Sequence, residues 1–329
     1  MSDAAGTEPF FERISLSVPA IAVHGGAGAF ERVRTEEDAR SLADGINAAL
    51  VAGWDVLSDG GSALDAVVEA VASMEDSGKF NAGRSGARTI EDHLEMDAAV
   101  MDGASGNVGG VCATTWPRNP VRAALAVSAL GGPAEGPILL AGAGADLFAK
   151  DSGLPEMAAA TSGLTSVEGA GQVPVRSGSA AAEPDSPAGT VGAVAVDAAG
   201  HVAAATSTGG RSGQLPGRVG DSAIPGAGTW ADDRTIAISA TGEGESFVVS
   251  GFSHLVHWSV LDGSTVKEAL ASAIRQVVYR GGDGGAITIT PDGEAVFVFN
   301  TRAMARGCRG KTETRVTIID NNPEPRGTK

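Results

Sequence analysis

Gly189-Thr190-Val191-Gly192-Ala193-Val194-Ala195-Val196 sets one threonine between a flexible glycine and a run that reads as a buried strand. Cutting the Gly189–Thr190 bond would make Thr190 a chain terminus. A terminal threonine carries a hydroxyl nucleophile and, on the same residue, an α-amino group of pKa about 8 that can serve as its base. No other stretch of the chain offers an activated nucleophile of this kind, so the fold and function turn on whether the chain before Thr190 can release it and the chain after it can surround it.

Downstream, the texture is β. Thr190–Asp197 and His201–Thr206 flank Ala198-Ala199-Gly200, Thr229–Asp232 and Thr235–Ala240 flank Asp233-Arg234, and Ala286–Thr290 and Ala295–Phe299 flank Pro291-Asp292-Gly293. Each reads as a hairpin. Two helices are expected between the second and third, at about Ser250–Leu261 and Ser264–Tyr279, the latter with Val266, Leu270, Ile274 and Val277 on one face. The tail after Gly310 is polar apart from a strand candidate at Thr314–Ile319.

Upstream, Asp151 to Gly189 is mostly Ala, Gly, Ser, Pro and Thr without one aromatic residue. Such a segment cannot bury enough apolar area to offset its ordering entropy, and on composition it is a linker. Before it, Ile21-Ala22-Val23 reads as a strand entering the glycine turn His24-Gly25-Gly26-Ala27-Gly28. Thr35 with Asp38, and Ser62 with Asp65, are capping boxes that open two core-facing helices. Phe80–Gly86 is a turn-rich loop. Glu95–Met101 and Gly109–Thr115 form a hairpin candidate, and Pro120–Leu130 and Pro137–Lys150 look helical. Helices and hairpins in this order suit antiparallel sheets covered by helices, a four-layer α/β sandwich in one domain.

Composition excludes several classes. Among 329 residues, 43% are hydrophobic and 19% charged, ordinary for a globular chain, and a formal net charge of −16 speaks against nucleic-acid or anionic-membrane partners. The two cysteines, Cys112 and Cys308, support neither a disulfide framework nor a cysteine-rich zinc site. No signal peptide and no membrane span is read, so a cytoplasmic setting is the expectation. Neither G-x-G-x-x-G nor G-x-S-x-G occurs, which weakens phosphate-loop and serine-esterase readings of the His24–Gly28 turn. His24 reads more readily as a packed histidine than a catalytic one, and Asp97 and Asp102 as strand-end and turn residues.

Hydrolysis of a small amide needs a nucleophile, a base, donors aimed at the developing oxyanion and charges that hold the substrate. Thr190 supplies the first two. Thr241 and Gly242 can supply a hydroxyl and an N–H for the oxyanion. Arg218 can pair with a carboxylate while Asp221 takes an ammonium, which together would recognise an amino acid; a structural ion pair in a turn is the equal alternative.

These segments resemble the N-terminal-nucleophile (Ntn) hydrolases of the plant-type (type 2) L-asparaginase, or isoaspartyl peptidase, group. The resemblance is carried by IAVHGGAG at Ile21–Gly28, FNAG at Phe80–Gly83, EMDAAVMDG at Glu95–Gly103, GTVGAVA at Gly189–Ala195, TSTGG at Thr206–Gly210, PGRVGDS at Pro216–Ser222, PGAGTWAD at Pro225–Asp232, ATGEGE at Ala240–Glu245 and GGDGG at Gly281–Gly285. It implies an αββα sandwich and a precursor that cuts itself at Gly189–Thr190 into an α subunit, 1–189, ending in a flexible linker, 151–189, and a β subunit, 190–329. Thr190 would be the nucleophile with Thr208 bonded beside it, Thr241 and Gly242 the oxyanion hole, and Arg218, Asp221 and Gly244 substrate contacts. The implied substrates are L-asparagine and β-aspartyl dipeptides, the implied assembly a dimer of αβ units. No cofactor is required, although the backbone carbonyls of Met74, Glu75, Ser77, Phe80, Ala82 and Arg84 match the family's structural sodium loop.

Three positions depart from the pattern: Ser85 stands where the N-A-G-x-G run has glycine, Arg211-Ser212-Gly213-Gln214 replaces the common Met-Thr-Asn-Lys, and Trp230 occupies a place where a smaller or phenolic residue is frequent. Glycosylasparaginase shares TSTxG and PGRVGDS, and an uncleaved amino-acid-binding module is the alternative from another class.

Overall fold

A computed structural model of the chain describes residues 8–28, 33, 35–132, 134–157 and 189–318. The expected linker therefore lies outside the described residues over 158–188. In chain order the elements are β1 (Phe10–Ser15), β2 (Ala20–Ala27), α1 (Glu36–Ser58), α2 (Ala63–Ser77), β3 (Met96–Asp102), β4 (Val108–Thr114), α3 (Pro120–Ser128), β5 (Leu139–Ala141) and α4 (Gly142–Asp151). After the linker come β6 (Val191–Val196), β7 (Val202–Thr208), β8 (Thr229–Ala231), β9 (Ala237–Gly242), α5 (Gly244–Ser250), α6 (Phe252–Leu261), α7 (Val266–Tyr279), β10 (Gly284–Ile289), β11 (Glu294–Phe299), β12 (Met304–Arg309) and β13 (Thr314–Thr317).

Side-chain alternation along the strands builds the layers. On β6, Val191, Ala193 and Ala195 pack with α1 and α2, whereas Val194 and Val196 join an apolar layer with Ile287, Ile289 and Phe297 of the opposite sheet. On β9 the pattern is mirrored, with Ile238 and Ala240 packed against Leu270, Ile274 and Val277 of α7. Two sheets buried on both faces, each covered by helices on its outer side, make the expected αββα sandwich. The larger sheet runs β13-β12-β2-β6-β7-β3-β4-β5 and the smaller β1-β11-β10-β9-β8. Neighbours are antiparallel except β4 and β5. The helices open as their sequences dictate: Thr35 and Thr265 form reciprocal capping boxes with Asp38 and Glu268, and Ser62 accepts from Asp65 N. No helix among the described residues is long and apolar enough to cross a membrane.

Five elements differ from expectation. β2 runs on through Ala27 where a glycine turn from His24 is expected, because His24 and Ala27 pair with β12. The start of the expected 137–150 helix is β5, because Ile138 to Ala141 pair with β4 and the helix begins only where Gly142 turns to φ 53°. The expected 250–261 helix is preceded by a separate α5, broken at Gly251 by φ 57°. β1 and β12 were unannounced. In β12 a core position is filled by Arg306, 2% exposed, which pairs with Glu12 and stacks over Phe10 and Phe299 at 5.1 Å, so the sequence lacks the apolar alternation of a strand.

Phe80 explains two glycines. Its ring lies 2.5 Å from where a Cβ on Gly25 would stand and 2.7 Å from one on Gly45, so it plugs β2 to α1. Gly192 leaves a comparable gap toward the other sheet: a Cβ there would meet Ser239 Oγ at 1.9 Å and His24 Nε2 at 2.5 Å. Gly192→Ala is therefore expected to lower stability by about 1–3 kcal/mol through overpacking. Gly144→Ala, where nothing lies within 4 Å in a helix, should raise it by about 0.5–1 kcal/mol. Denaturant unfolding of the two variants checks both signs.

Candidate active site

Thr190 precedes β6 by one residue, and the pairing Val191↔Ser207 places it opposite Thr208. Its Oγ1 donates to Thr208 Oγ1 at 3.0 Å. Thr208 Oγ1 also accepts from Gly210 N at 3.0 Å, so the turn after β7 fixes the partner of the candidate nucleophile. Alternation sends Thr206 and Thr208 into the space between the sheets and Ser207 toward α2, where its hydroxyl donates to Glu75 Oε1 at 2.7 Å. Glu75 is fully buried and desolvation pushes its pKa up to about 7, against the Ser207 bond.

The residue before the candidate cleavage point is gripped by backbone. A Cβ on Gly26, which has φ 106°, would lie 2.5 Å from Gly189 Cα and 2.8 Å from its carbonyl carbon. Only glycine allows this approach. The next residue carries the contact onward, since Ala27 N donates to Thr241 Oγ1 at 3.2 Å. That bond fills an acceptor site on Thr241 and leaves its own hydroxyl proton to donate elsewhere. Thr241 is buried and Gly242, with φ 148°, is exposed.

Arg218 and Asp221 sit on the loop between β7 and β8, which two carboxylates of the β3 region tie down. Asp97 Oδ2 accepts from Gly220 N at 2.8 Å and Glu95 Oε2 from Gly217 N at 2.7 Å. Asp97 faces Thr208 across the β3–β7 pairing, so the loop is anchored beside the nucleophile's partner. On the other side Gly244 closes in: a Cβ there would lie 2.9 Å from Asp221 Oδ1 and 3.0 Å from Arg218 Nη2. The contacts form a ring, from Thr190 through Thr208, Asp97, the 216–221 loop, Gly244, Thr241 and Ala27 back to Gly189.

Charge in this ring is unbalanced. Asp221 is buried with Oδ2 lacking any hydrogen-bond partner, and desolvation raises its pKa to about 7 despite the opposing Arg218 charge. A buried carboxylate oxygen without a donor is costly, and a ligand ammonium would satisfy it. Arg218 spends Nε and Nη2 on Glu245, each at 3.0 Å, a bidentate pair at the pocket rim. Arg211 extends this rim, bonding Glu243 at 2.7 Å.

His24 is not a free base. It is buried, its Nε2 contacts Ser239 Oγ at 2.9 Å, and Ser239 meets Thr206 Oγ1 at 2.7 Å, which in turn accepts from Thr229. Burial lowers its pKa to about 3, the nearby Thr190 backbone opposing, so the ring is neutral. It belongs to a hydroxyl network that ends the apolar inter-sheet layer behind Thr190. Trp230 points the other way, against His254 at 4.3 Å and His257 at 5.2 Å on the helix side of its sheet.

The structure thus gathers Thr190, Thr208, Thr241, Gly242, Arg218, Asp221 and Gly244 into one ring. Met74, Glu75, Ser77, Phe80, Ala82 and Arg84 lie apart from it, at the end of α2 and in the following loop. Reading by residue type missed Glu95, Asp97 and Glu245 as anchors, although each falls inside a quoted segment, EMDAAVMDG or ATGEGE. Spacing alone does not reveal that these carboxylates bind a loop more than 100 residues distant or, for Glu245, Arg218.

Similarity to known proteins runs along most of the chain. A family model described as asparaginase matches residues 17–319. An isoaspartyl peptidase/L-asparaginase of Xenopus laevis is 38% identical over 310 residues, 93% of this chain and 98% of the relative. The isoaspartyl peptidase of Escherichia coli (strain K12) is 37% identical over 319 residues, covering 89% and 94%. A plant-type L-asparaginase of Pyrobaculum calidifontis is 38% identical over 311 residues, covering 91% and 99%. With the sandwich, the ring of residues and these matches in hand, the chain belongs to the asparaginase family that includes the plant-type enzymes and isoaspartyl peptidases.

Proposed function

We propose that this chain is an amidohydrolase that cuts its own Gly189–Thr190 bond and then uses Thr190 to hydrolyse the side-chain amide of L-asparagine and the isopeptide bond of β-aspartyl dipeptides. The observation that carries the substrate class is Asp221, a buried carboxylate with an unpartnered oxygen beside Arg218, in the ring that holds Thr190. An α-amino group fits the first and an α-carboxylate the second, by joining or displacing Glu245. The names of the relatives, isoaspartyl peptidase and L-asparaginase, support the same substrates.

In self-cleavage, Thr190 Oγ1 attacks the Gly189 carbonyl carbon, the peptide C–N bond breaks, and the nitrogen gains a proton to become a free amine. Water then hydrolyses the resulting ester, leaving a Gly189 carboxylate. In turnover, the new amine takes the Oγ1 proton as the oxygen attacks the substrate amide carbon. The Thr241 hydroxyl and the Gly242 N–H stabilise the oxyanion. The leaving ammonia or peptide amine departs with the proton held by Thr190, and water releases aspartate from the β-aspartyl ester. We place the enzyme in the reducing cytoplasm, in keeping with its two free buried thiols, Cys112 and Cys308. We further propose a dimer of αβ units, which rests on the resemblance.

Three outcomes test this reading. Thr190→Ala should reduce kcat for L-asparagine by a factor of about 10⁴ or more while the protein still folds, as judged by circular dichroism. Thr241→Ala should lower kcat about 10²–10³-fold with KM little changed, which steady-state kinetics resolves. Asp221, with its pKa raised to about 7, is ionised above that pH and neutral below it. Hence kcat/KM for asparagine should fall as pH drops through about 7, more steeply than for an analogue lacking the α-amino group. The Thr190 amine limits both substrates alike, so equal profiles for the two would remove Asp221 from the ammonium role.

A further inference from the structure

The six carbonyls matched to a sodium loop run from the last turn of α2 into the loop behind Phe80. To hold a hard cation, backbone carbonyls must turn their oxygens on one centre with no protein donor standing in it. Donors stand there in this chain. Ser85 Oγ donates to the Phe80 carbonyl at 2.7 Å and lies 3.2 Å from the Ala82 carbonyl. The Phe80 oxygen accepts again from Ala82 N at 2.9 Å. Ser77 Oγ donates to the Met74 carbonyl at 2.7 Å, and Arg84 Nη2 reaches the Ser77 carbonyl at 3.4 Å. Four of the six oxygens, those of Met74, Ser77, Phe80 and Ala82, thus meet a donor from the chain itself.

Charge points the same way. Helix α2 ends at Gly78 in a left-handed turn, with no basic residue in its last turn. The negative end of a helix dipole attracts a cation. Arg84 answers it: its Nη2 lies 2.9 Å from where a Cβ on Gly78 would stand. A second positive charge beside this guanidinium would be repelled. The residues present therefore do not fit a bound monovalent ion.

We propose that Ser85 and Arg84 take the place of that ion, the hydroxyl bridging the carbonyls and the guanidinium neutralising the helix end, so that the loop is held without a cation. The loop matters to the site. Gly209 N donates to the Asn81 carbonyl at 3.0 Å, Asn81 Nδ2 donates to the Gly210 carbonyl at 2.7 Å, and the Gly86 backbone abuts Gly209. Through Asn81 the loop clamps the turn that positions Thr208. Ser85, the departure from the family's glycine, is then what frees Thr208 from dependence on salt.

Thermal unfolding of the full-length protein, dialysed into choline chloride and compared with sodium and potassium chloride at equal ionic strength, tests this. The natural protein should melt at the same temperature in all three, with no sodium retained by elemental analysis after dialysis. Ser85→Gly should melt roughly 2–6 °C lower in all three salts, because Arg84 still keeps a cation out, whereas Ser85→Gly combined with Arg84→Gln should lose stability in choline chloride and recover saturably in sodium or potassium. Ser85→Ala, which removes the donor without loosening the backbone, should show the same drop in choline. A saturable rise of the natural protein's melting temperature with sodium or potassium overturns the proposal, whether or not the variants fold. So does a Ser85→Gly protein as stable as the natural one in choline, or a Ser85→Gly/Arg84→Gln protein that neither sodium nor potassium restores.

Discussion

The close approach of the Gly26 and Gly189 backbones is the constraint on which the site depends. With no side chain on either residue, the end of β2 can lie directly against the peptide before Thr190. The same strand end passes the contact to Thr241 through Ala27 N. A single Cβ on Gly26 would force these backbones apart and, with them, separate the proposed nucleophile from the proposed oxyanion donor. The glycine-rich end of β2 therefore acts as a clamp on the protein's own backbone and not as a cradle for a phosphate.

Behind the clamp, the inter-sheet layer changes character along its length. Ile287, Phe297, Val194 and their neighbours form a dry apolar layer, which gives way near Thr190 to His24, Ser239, Thr206 and Thr229, joined by hydroxyl-mediated bonds. Buried polar groups stay inexpensive only when paired, and this network is paired apart from His24 Nδ1. Gly192 makes room for it. The result is a rigid polar floor that needs no charge, consistent with a histidine kept neutral.

Much of this was legible in the sequence, for reasons that differ by element. The three hairpins after Thr190 announced themselves through two-residue alternation bracketed by turn residues, and the first two helices through the caps Thr35 and Ser62. β12 stayed hidden because Arg306 occupies a core position, and β5 because an alanine-rich run reads as helix until a partner strand claims its start. At the site, Thr190, Arg218 and Asp221 stood out by residue type, since an activated hydroxyl and a charge pair in a glycine turn suggest chemistry locally. Asp97 and Glu95 did not, because their role is to hold backbone N–H groups more than 100 residues away, and no local pattern encodes a distant partner. Glu245 was hidden for the same reason: its claim on Arg218 exists only once β9 brings α5 to the loop.

The chemistry proposed for the site requires that Thr190 gain a free α-amine by cleavage of its own chain. Intact-mass measurement of freshly purified protein, with N-terminal sequencing of any fragments, tests it most directly. Two pieces are expected, the second beginning Thr-Val-Gly-Ala. A single unbroken chain after prolonged incubation would contradict it, because Thr190 would then carry no base of its own and the ring around it would be left as a binding site for an amino acid.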